Sequence, residues 1–395
     1  MLHSTIPVVG LLSLFTLSAC EPVGTEGFLV ELSARVVDEN NSPAAGIDVS
    51  FATTDGALVA ELVTDDDGWL RFPVYGTEVL GHSLWYKAEG TGYAPTEGWV
   101  EIDLRSPEST LLRADPPHEW AVWERMLPPI RVIDEDITGG VRLTLFDAST
   151  GETMPDGVEV ALRQGWNAPA SESVVATFET VDAEGLVKII GVPPGMYTLQ
   201  IDAGDGYEQT RFPVPVTSAG DGQFFVSMSP ALAREEMRVT LSWSNSPADL
   251  DLHLTGPTKA GAGDQAAWER FHVYSESPRH PELAPEEDTV VELEADSNTG
   301  YGPESVFVHE LVADGAYNIS VYDVASQYET GSVDLGNSMA VVQMWIGDVG
   351  ADFFEVSPGG GGNTWQAAVY EAQDELWYRT QSYFDEDEPS SVLAF

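Results

Sequence analysis

The chain has 395 residues, 65 of them acidic against 17 basic, which gives a formal charge of −48 at pH 7 and leaves a single cysteine. That balance disfavours nucleic acid and anionic lipid surfaces as partners, because binding either depends on clustered Lys and Arg, and it makes cations the natural counterpart. Apolar residues make up 43% and aromatics 10%, so the composition is that of a chain that builds cores and not a disordered one.

Length predicts two to four domains of about 100 to 150 residues. Lysine occurs only at Lys87, Lys188 and Lys259. So much carboxylate with so little lysine is similar to the composition of salt-adapted proteins, in which salt near 1 M shortens the screening length to about 3 Å.

Residues 1–19 read as a signal peptide. The apolar run from Ile6 to Leu17 is too short for the roughly 20 residues that span a bilayer, and it ends in small residues as an export signal does. Leu17, Ser18, Ala19 and Cys20 resemble the lipobox of bacterial lipoproteins. The resemblance implies a covalent lipid at Cys20, a tether over 20–26 and a body anchored to a membrane through that lipid. Two or more acyl chains, at about 0.8 kcal/mol per buried CH₂, would hold it there almost permanently. Glu21 in place of Asp implies, by likeness to enterobacterial sorting, the outer membrane, with the body periplasmic or surface-facing.

Beyond the tether, short alternating apolar runs recur: Val30, Leu32 and Ala34; Val141, Leu143 and Leu145; Tyr197, Leu199 and Ile201; Val239, Leu241 and Trp243. Most are bounded by Gly, Pro, Asn or Asp, and no long amphipathic helical pattern appears. The fold class is therefore all-β, and the expected architecture is three tandem antiparallel β-sandwich domains after the lipoprotein signal peptide.

The first two are copies. VVDENNSPAAGIDVSF, TDDDGWLRFPV and KAEGTGYAP have counterparts in LFDASTGETMPDGVEVAL, TVDAEGLVKII and IDAGDGYEQ. Each copy runs strand, Pro-then-Gly turn, strand, an acid-Gly turn and strand, and ends on a Gly-Tyr turn. Gly68 and Gly185 supply the positive φ of the acid-Gly turn, and the neighbouring acids bond backbone amides. Asp65, Asp66 and Asp67 imitate the start of a calcium loop, but further oxygen ligands do not follow at regular spacing, so the stretch reads as a hairpin turn. Both copies resemble carboxypeptidase regulatory-like domains, also described as carbohydrate-binding-like or prealbumin-like sandwiches, over 27–104 and 130–230. Between them, 105–129 reads as a packed Pro/Trp-rich connector in which Trp120, Trp123 and Leu127 need burial.

The third domain, 236–384, carries W-(x)n-DLDLHL, then GYGPE, then G-x-Y, ahead of an acidic tail over 385–395. That order resembles a bacterial domain family of unknown function found in exported and surface proteins, which implies a β-sandwich and no particular activity. In DLDLHL a strand turns Leu250, Leu252 and Leu254 to the core and sets Asp249, Asp251 and His253 on the opposite face. Asp249, Asp251, Asp296, Asn298 and Glu304 offer the hard oxygens that calcium takes six to eight at a time, at about 2.3 to 2.6 Å. Two further readings stand beside calcium as the cofactor: a solvated acidic face, and a zinc site using His253 with His272, His280 or His309. HELVA at His309 has Ala313 where a metalloprotease needs its second histidine.

Neither a G-x-S-x-G elbow nor a free thiol beside a base is present, and the Gly359 to Gly362 run lacks the Lys-Ser/Thr of a phosphate loop and reads as a β-connection. The expectation is a non-enzymatic, lipid-anchored envelope protein acting as a structural or adhesive interaction module, whose partners are the membrane through its lipid and an envelope protein or polysaccharide. The alternative is a carbohydrate-binding surface lipoprotein. Coplanar exposed rings among Trp85, Trp99 and Trp166 would favour the alternative, and their burial the structural reading.

Overall fold

A computed structural model describes residues 29–38, 40–75, 82–102, 123–127, 129–134, 140–155, 157–180, 184–204, 206–217, 222–259, 270–281, 290–313, 315–373 and 375–386. The signal peptide, Cys20, the tether over 20–26, most of the connector including Trp120, and the end of the tail lie outside the described residues. The described chain is all-β, arranged as three sandwiches in sequence order.

In the first, one sheet orders Trp69–Tyr75, Leu29–Val37 and Trp123–Met126, and the other orders Leu58–Val63, Asp48–Thr53, His82–Glu89 and Thr96–Ile102. The second repeats this with Leu186–Ile190, Gly140–Asp147 and Gly222–Met228 facing Val174–Glu179, Glu159–Gln164, Gly195–Asp202 and Thr210–Val216. Strand pairings in these two sandwiches are antiparallel except those that close each one on its first strand, which are parallel: Val30 lies opposite Trp123, Val36 opposite Ile130, and Val141 opposite Gly222.

The apolar alternation of the opening strands explains the layering. Val30, Leu32 and Ala34, and then Val141, Leu143 and Leu145, are all at most 1% exposed. Turn chemistry repeats with them. A Cβ at Gly68 (φ +77°) would lie 2.5 Å from the Val36 carbonyl oxygen, and one at Gly185 (φ +66°) 2.5 Å from that of Leu145. Asp65 Oδ1 accepts from the amides of Asp67 and Trp69 at 3.1 and 2.7 Å, so it serves the hairpin. In each copy a buried threonine bridges two backbone groups: Thr64 accepts from Ile47 N and donates to Ala44 O, and Thr180 does the same with Val158 N and Pro155 O.

One boundary moves. Trp123–Met126, counted from sequence with the connector, and Ile130–Arg131, counted with the second copy, both pair with Leu29–Val37, while Ile133–Asp134 pairs with Tyr93–Ala94. The first sandwich therefore runs past residue 104. No local pattern marks this, because a closing parallel strand returns from far along the chain and carries no hairpin signal.

The third sandwich sets a six-stranded sheet (Arg279–His280, Val291–Ala295, Glu304–Val308, Met237–Ser242, Val341–Ile346, Gly350–Glu355) against a five-stranded one (Arg270–Val273, Leu250–Pro257, Ala316–Asp323, Thr364–Glu371, Leu376–Phe384). Leu250, Leu252 and Leu254 are fully buried in its core with Val239, Leu241, Ile319 and Trp365. The glycine run joins Gly350–Glu355 to Thr364–Glu371, and there Arg35 of the first sandwich donates to Pro358 O at 2.7 Å.

An acidic pocket at the edge of the third sandwich

Pairing between Leu250–Pro257 and Arg270–Val273 starts only at Leu254, opposite Val273. Ahead of it the amide of Leu252 has no ladder partner on that side, and it donates instead to Glu304 Oε2 at 2.6 Å, across from the other sheet. Glu304 is aimed there by the turn before it. Gly300 (φ +82°), Tyr301 (φ +71°) and Gly302 (φ +77°) all take left-handed backbone, and a Cβ on Gly302 would lie 2.7 Å from the Leu241 carbonyl oxygen and 2.9 Å from the Trp243 ring. The turn is tied down by Gly300 N to Ala248 O and Tyr301 N to Ser244 O, at 2.6 and 3.1 Å.

This construction brings three of the five sequence-predicted oxygen ligands together. One carboxylate oxygen each from Asp251, Asp296 and Glu304 lies within 4.8 Å of the others. Asp249 and Asn298 stand beside them in the wall of an open pocket of about 300 Å³, to which Val324 and the polar side chains of Ser275, Glu276, Tyr322 and Gln327 also contribute. The latter four were not found from sequence. Glu276 carried a usable signal as one more acid in YSES, but nothing local says that the turn after Arg270–Val273 folds back onto Asp251. Ser275 Oγ donates to Asp251 Oδ2 at 2.8 Å.

The expectation of a solvated acidic face fits Asp296 and Asn298 but not Asp251 and Glu304. Asp251 is 6% exposed, Glu304 1% and His253 1%, while Asp296 and Asn298 are exposed. Both faces of Leu250–Pro257 are covered, so the alternation that separates core from polar side chains does not separate dry from wet. Burial raises the Asp251 carboxyl to about 6, with Asp249, Asp296 and Glu276 pushing the same way and the Ser275 hydrogen bond opposing. Burial likewise holds Glu304 well above the usual carboxylate range, aided by Asp251 and Asp296, and raises Asp249, aided by Asp296.

Of the histidines weighed for zinc, His253 and His272 do meet, with Nδ1 of the first 2.9 Å from Nε2 of the second. Tyr274 stacks on both rings, at 4.7 and 4.6 Å between centroids. That is a direct ring-to-ring hydrogen bond, and among the described residues no third His, Cys, Asp or Glu converges on it. Burial depresses His253 well below its ordinary value, with His272 adding to the effect, and takes His272 down to about 4. His309 bonds Glu292 at 2.8 Å, and His280 lies against Phe271, so neither joins them.

The three tryptophans named as sugar platforms divide. Trp85 and Trp99 lie opposite each other in register and are half-buried, whereas Trp166 is 2% exposed and inserted between sandwiches. Its ring meets Phe353 of the third sandwich edge-on at 5.6 Å, and its Nε1 donates to Glu355 Oε2.

No family model matches the chain, and no curated protein matches it. Among solved structures, the Bacillus anthracis TIE protein is 14% identical with a TM-score of 0.21, over 71% of this chain and 48% of that one, so this chain spans about half that protein's length. Shaft pilin SpaA from Lactobacillus rhamnosus GG is 12% identical at a TM-score of 0.19, covering 53% of this chain and 99% of that one. GBS52, the minor pilin of Streptococcus agalactiae, is 13% identical at 0.20, covering 51% and 97%. At scores this low the all-β architecture rests on the sheets described above. No helix among the described residues is long and apolar enough to cross a membrane.

Proposed function

We propose that this chain is a non-catalytic cell-envelope protein, anchored by lipid at Cys20, that works as a structural or adhesive module. The observation that carries the reading is the placement of Trp166. Its backbone bonds the first sandwich, with Trp166 N to Glu97 O at 2.8 Å and Trp99 N to Trp166 O at 3.0 Å, and its side chain bonds the third. A single residue of the middle sandwich is thus fastened to both neighbours, and one of the three tryptophans suited by type to stack on a sugar is used up in the joint. The first two sandwiches also share one continuous apolar core, which Val341 and Phe353 of the third join. Three sandwiches welded in this way give a stiff body, which suits a part that transmits or resists load at a surface.

The experiment is fractionation of cells expressing the parent and Cys20→Ala, with mass analysis of the mature N-terminus. A parent held in the membrane fraction with an acylated cysteine, and a variant released from it, is the expected result. A mature terminus elsewhere, or turnover of a substrate by the purified body, would overturn the proposal. The carbohydrate-binding reading keeps one observation in its favour, the in-register pair of Trp85 and Trp99. A glycan array on the parent and on Trp85→Ala decides it, because saccharide binding lost in the variant would replace the structural reading.

A further inference from the structure

The pocket at the edge of the third sandwich combines two independent features. The first is convergence: carboxylate oxygens of Asp251, Asp296 and Glu304 lie within 4.8 Å of one another. Two oxygens on opposite sides of one calcium, each at about 2.4 Å, are about 4.8 Å apart, so the three fit within one ion's first shell. The second is an orphan. Glu304 is 1% exposed, its Oε2 is occupied by the Leu252 amide, and its Oε1 is buried with no hydrogen-bond partner. A buried acceptor left without a donor costs about 1–3 kcal/mol, more when charged, and native structures rarely leave one so.

That oxygen is satisfied either by a proton shared with the neighbouring Asp296 carboxylate or by a cation that enters from solvent, and only the cation also neutralises the charge of all three acids. Among the described residues no Lys, Arg or His forms an ion pair with any of the three acids. Three carboxylates set close in a partly dry site repel one another unless a cation or protons intervene. All the donors are oxygens, with neither thiolate nor imidazole among the converging atoms, which selects a hard cation over zinc or copper. Asp249 and Asn298 on the pocket wall supply further oxygens, and the open side admits water to complete a shell of six to eight. Magnesium demands near-ideal octahedral geometry at about 2.0–2.1 Å, which acids drawn from two sheets and a loop do not impose.

We propose that Asp251, Asp296 and Glu304 bind one calcium ion, with Asp249 and Asn298 as its outer oxygens, and that the ion clamps the turn carrying Glu304 to the edge of the opposite sheet. The proposal stands apart from the envelope role, since a protein of any function could carry this clamp.

The test is calorimetric titration of the full mature chain with calcium chloride and, separately, magnesium chloride, after chelator treatment and in dilute buffer, with thermal midpoints recorded alongside. One calcium per chain is expected, with magnesium at least tenfold weaker and a higher midpoint in calcium than in chelator. Asp296→Asn is the decisive variant, because Asp296 is exposed and its loss does not empty the core; calcium affinity should fall at least tenfold, while Glu61→Gln, an exposed acid of the first sandwich, leaves it unchanged. Glu304→Gln should behave as Asp296→Asn does, provided its far-UV spectrum is native. No binding in the parent, equal response to both metals, or parent-like affinity in Asp296→Asn would overturn the proposal, the last marking diffuse counter-ion uptake by a chain of charge −48.

Discussion

The indole of Trp166, in the second sandwich, donates to the half-buried carboxylate of Glu355 in the third, and Arg379 lies over the same indole at 5.9 Å. Burial raises the Glu355 carboxyl, and the charges of Arg131 and Arg379 together with the indole hydrogen bond pull against it. Trp166→Ala should cost about 3–5 kcal/mol, because it opens a cavity and removes a donor from a half-buried acid. Trp166→Phe keeps most of the packing and should cost about 1–3 kcal/mol. Urea denaturation of both variants checks the order, and a Trp166→Ala loss under 1 kcal/mol would show that the joint does not hold the sandwiches together.

The strands of the repeats were legible because alternation has a period of two and their turns use glycine where φ must be positive; Val30 to Ala34 and Gly68 behave as read. Leu250, Leu252 and Leu254 were placed correctly for the same reason. The burial of Asp251 and His253 was not legible, since alternation says which side chains share a face and nothing about whether that face is covered. The approach of Asp296 and Glu304 to Asp251 could be suspected from the Gly and Pro around them, but the Trp166 joint had no signal: Glu355 is 189 residues away in sequence.

Gly302 aims the candidate site. Alanine there must hold φ near +77° and press a methyl group against the Leu241 carbonyl and the Trp243 ring, so Gly302→Ala should lose about 1–3 kcal/mol, or more if the ring cannot move. The loss should also reach calcium binding, because Glu304 follows two residues later. Calorimetry that gave parent affinity in a destabilised Gly302→Ala would separate the turn from the site.

His272 makes the third sandwich sensitive to acid. Its folded value near 4 lies below the ordinary 6.5, so the unfolded chain takes up a proton first as pH falls. The stabilising contribution is therefore fully present above pH 6.5 and is lost as pH drops toward 4, at most about 3 kcal/mol. His253, depressed in the same direction, adds to the loss. Carboxyls elsewhere titrate in the same range, so the measurement is a difference: denaturation midpoints of the parent and of His272→Phe between pH 7 and pH 4. The parent should fall more steeply, and parallel curves would show that the His pair does not titrate as its burial dictates.

Arg238 marks where the second sandwich hands over to the third. It is 4% exposed and reaches Glu294 through Nε at 2.9 Å and Nη2 at 3.1 Å, while Nη1 donates to Ser229 Oγ at 2.8 Å and the guanidinium lies 4.5 Å from the centre of the Phe307 ring. Removing one member of a buried pair strands the other, which costs about 3–5 kcal/mol, whereas replacing both with apolar residues of similar size is often neutral. Glu294 retains 15% exposure, so water softens the penalty and Glu294→Leu should sit near the low end, at about 3 kcal/mol. The double variant Arg238→Met with Glu294→Leu should recover most of that, and a double-mutant cycle measures the coupling directly. If the double variant is instead as unstable as the sum of the singles, then Ser229 and Phe307, rather than the carboxylate, are the groups that make Arg238 necessary at this junction.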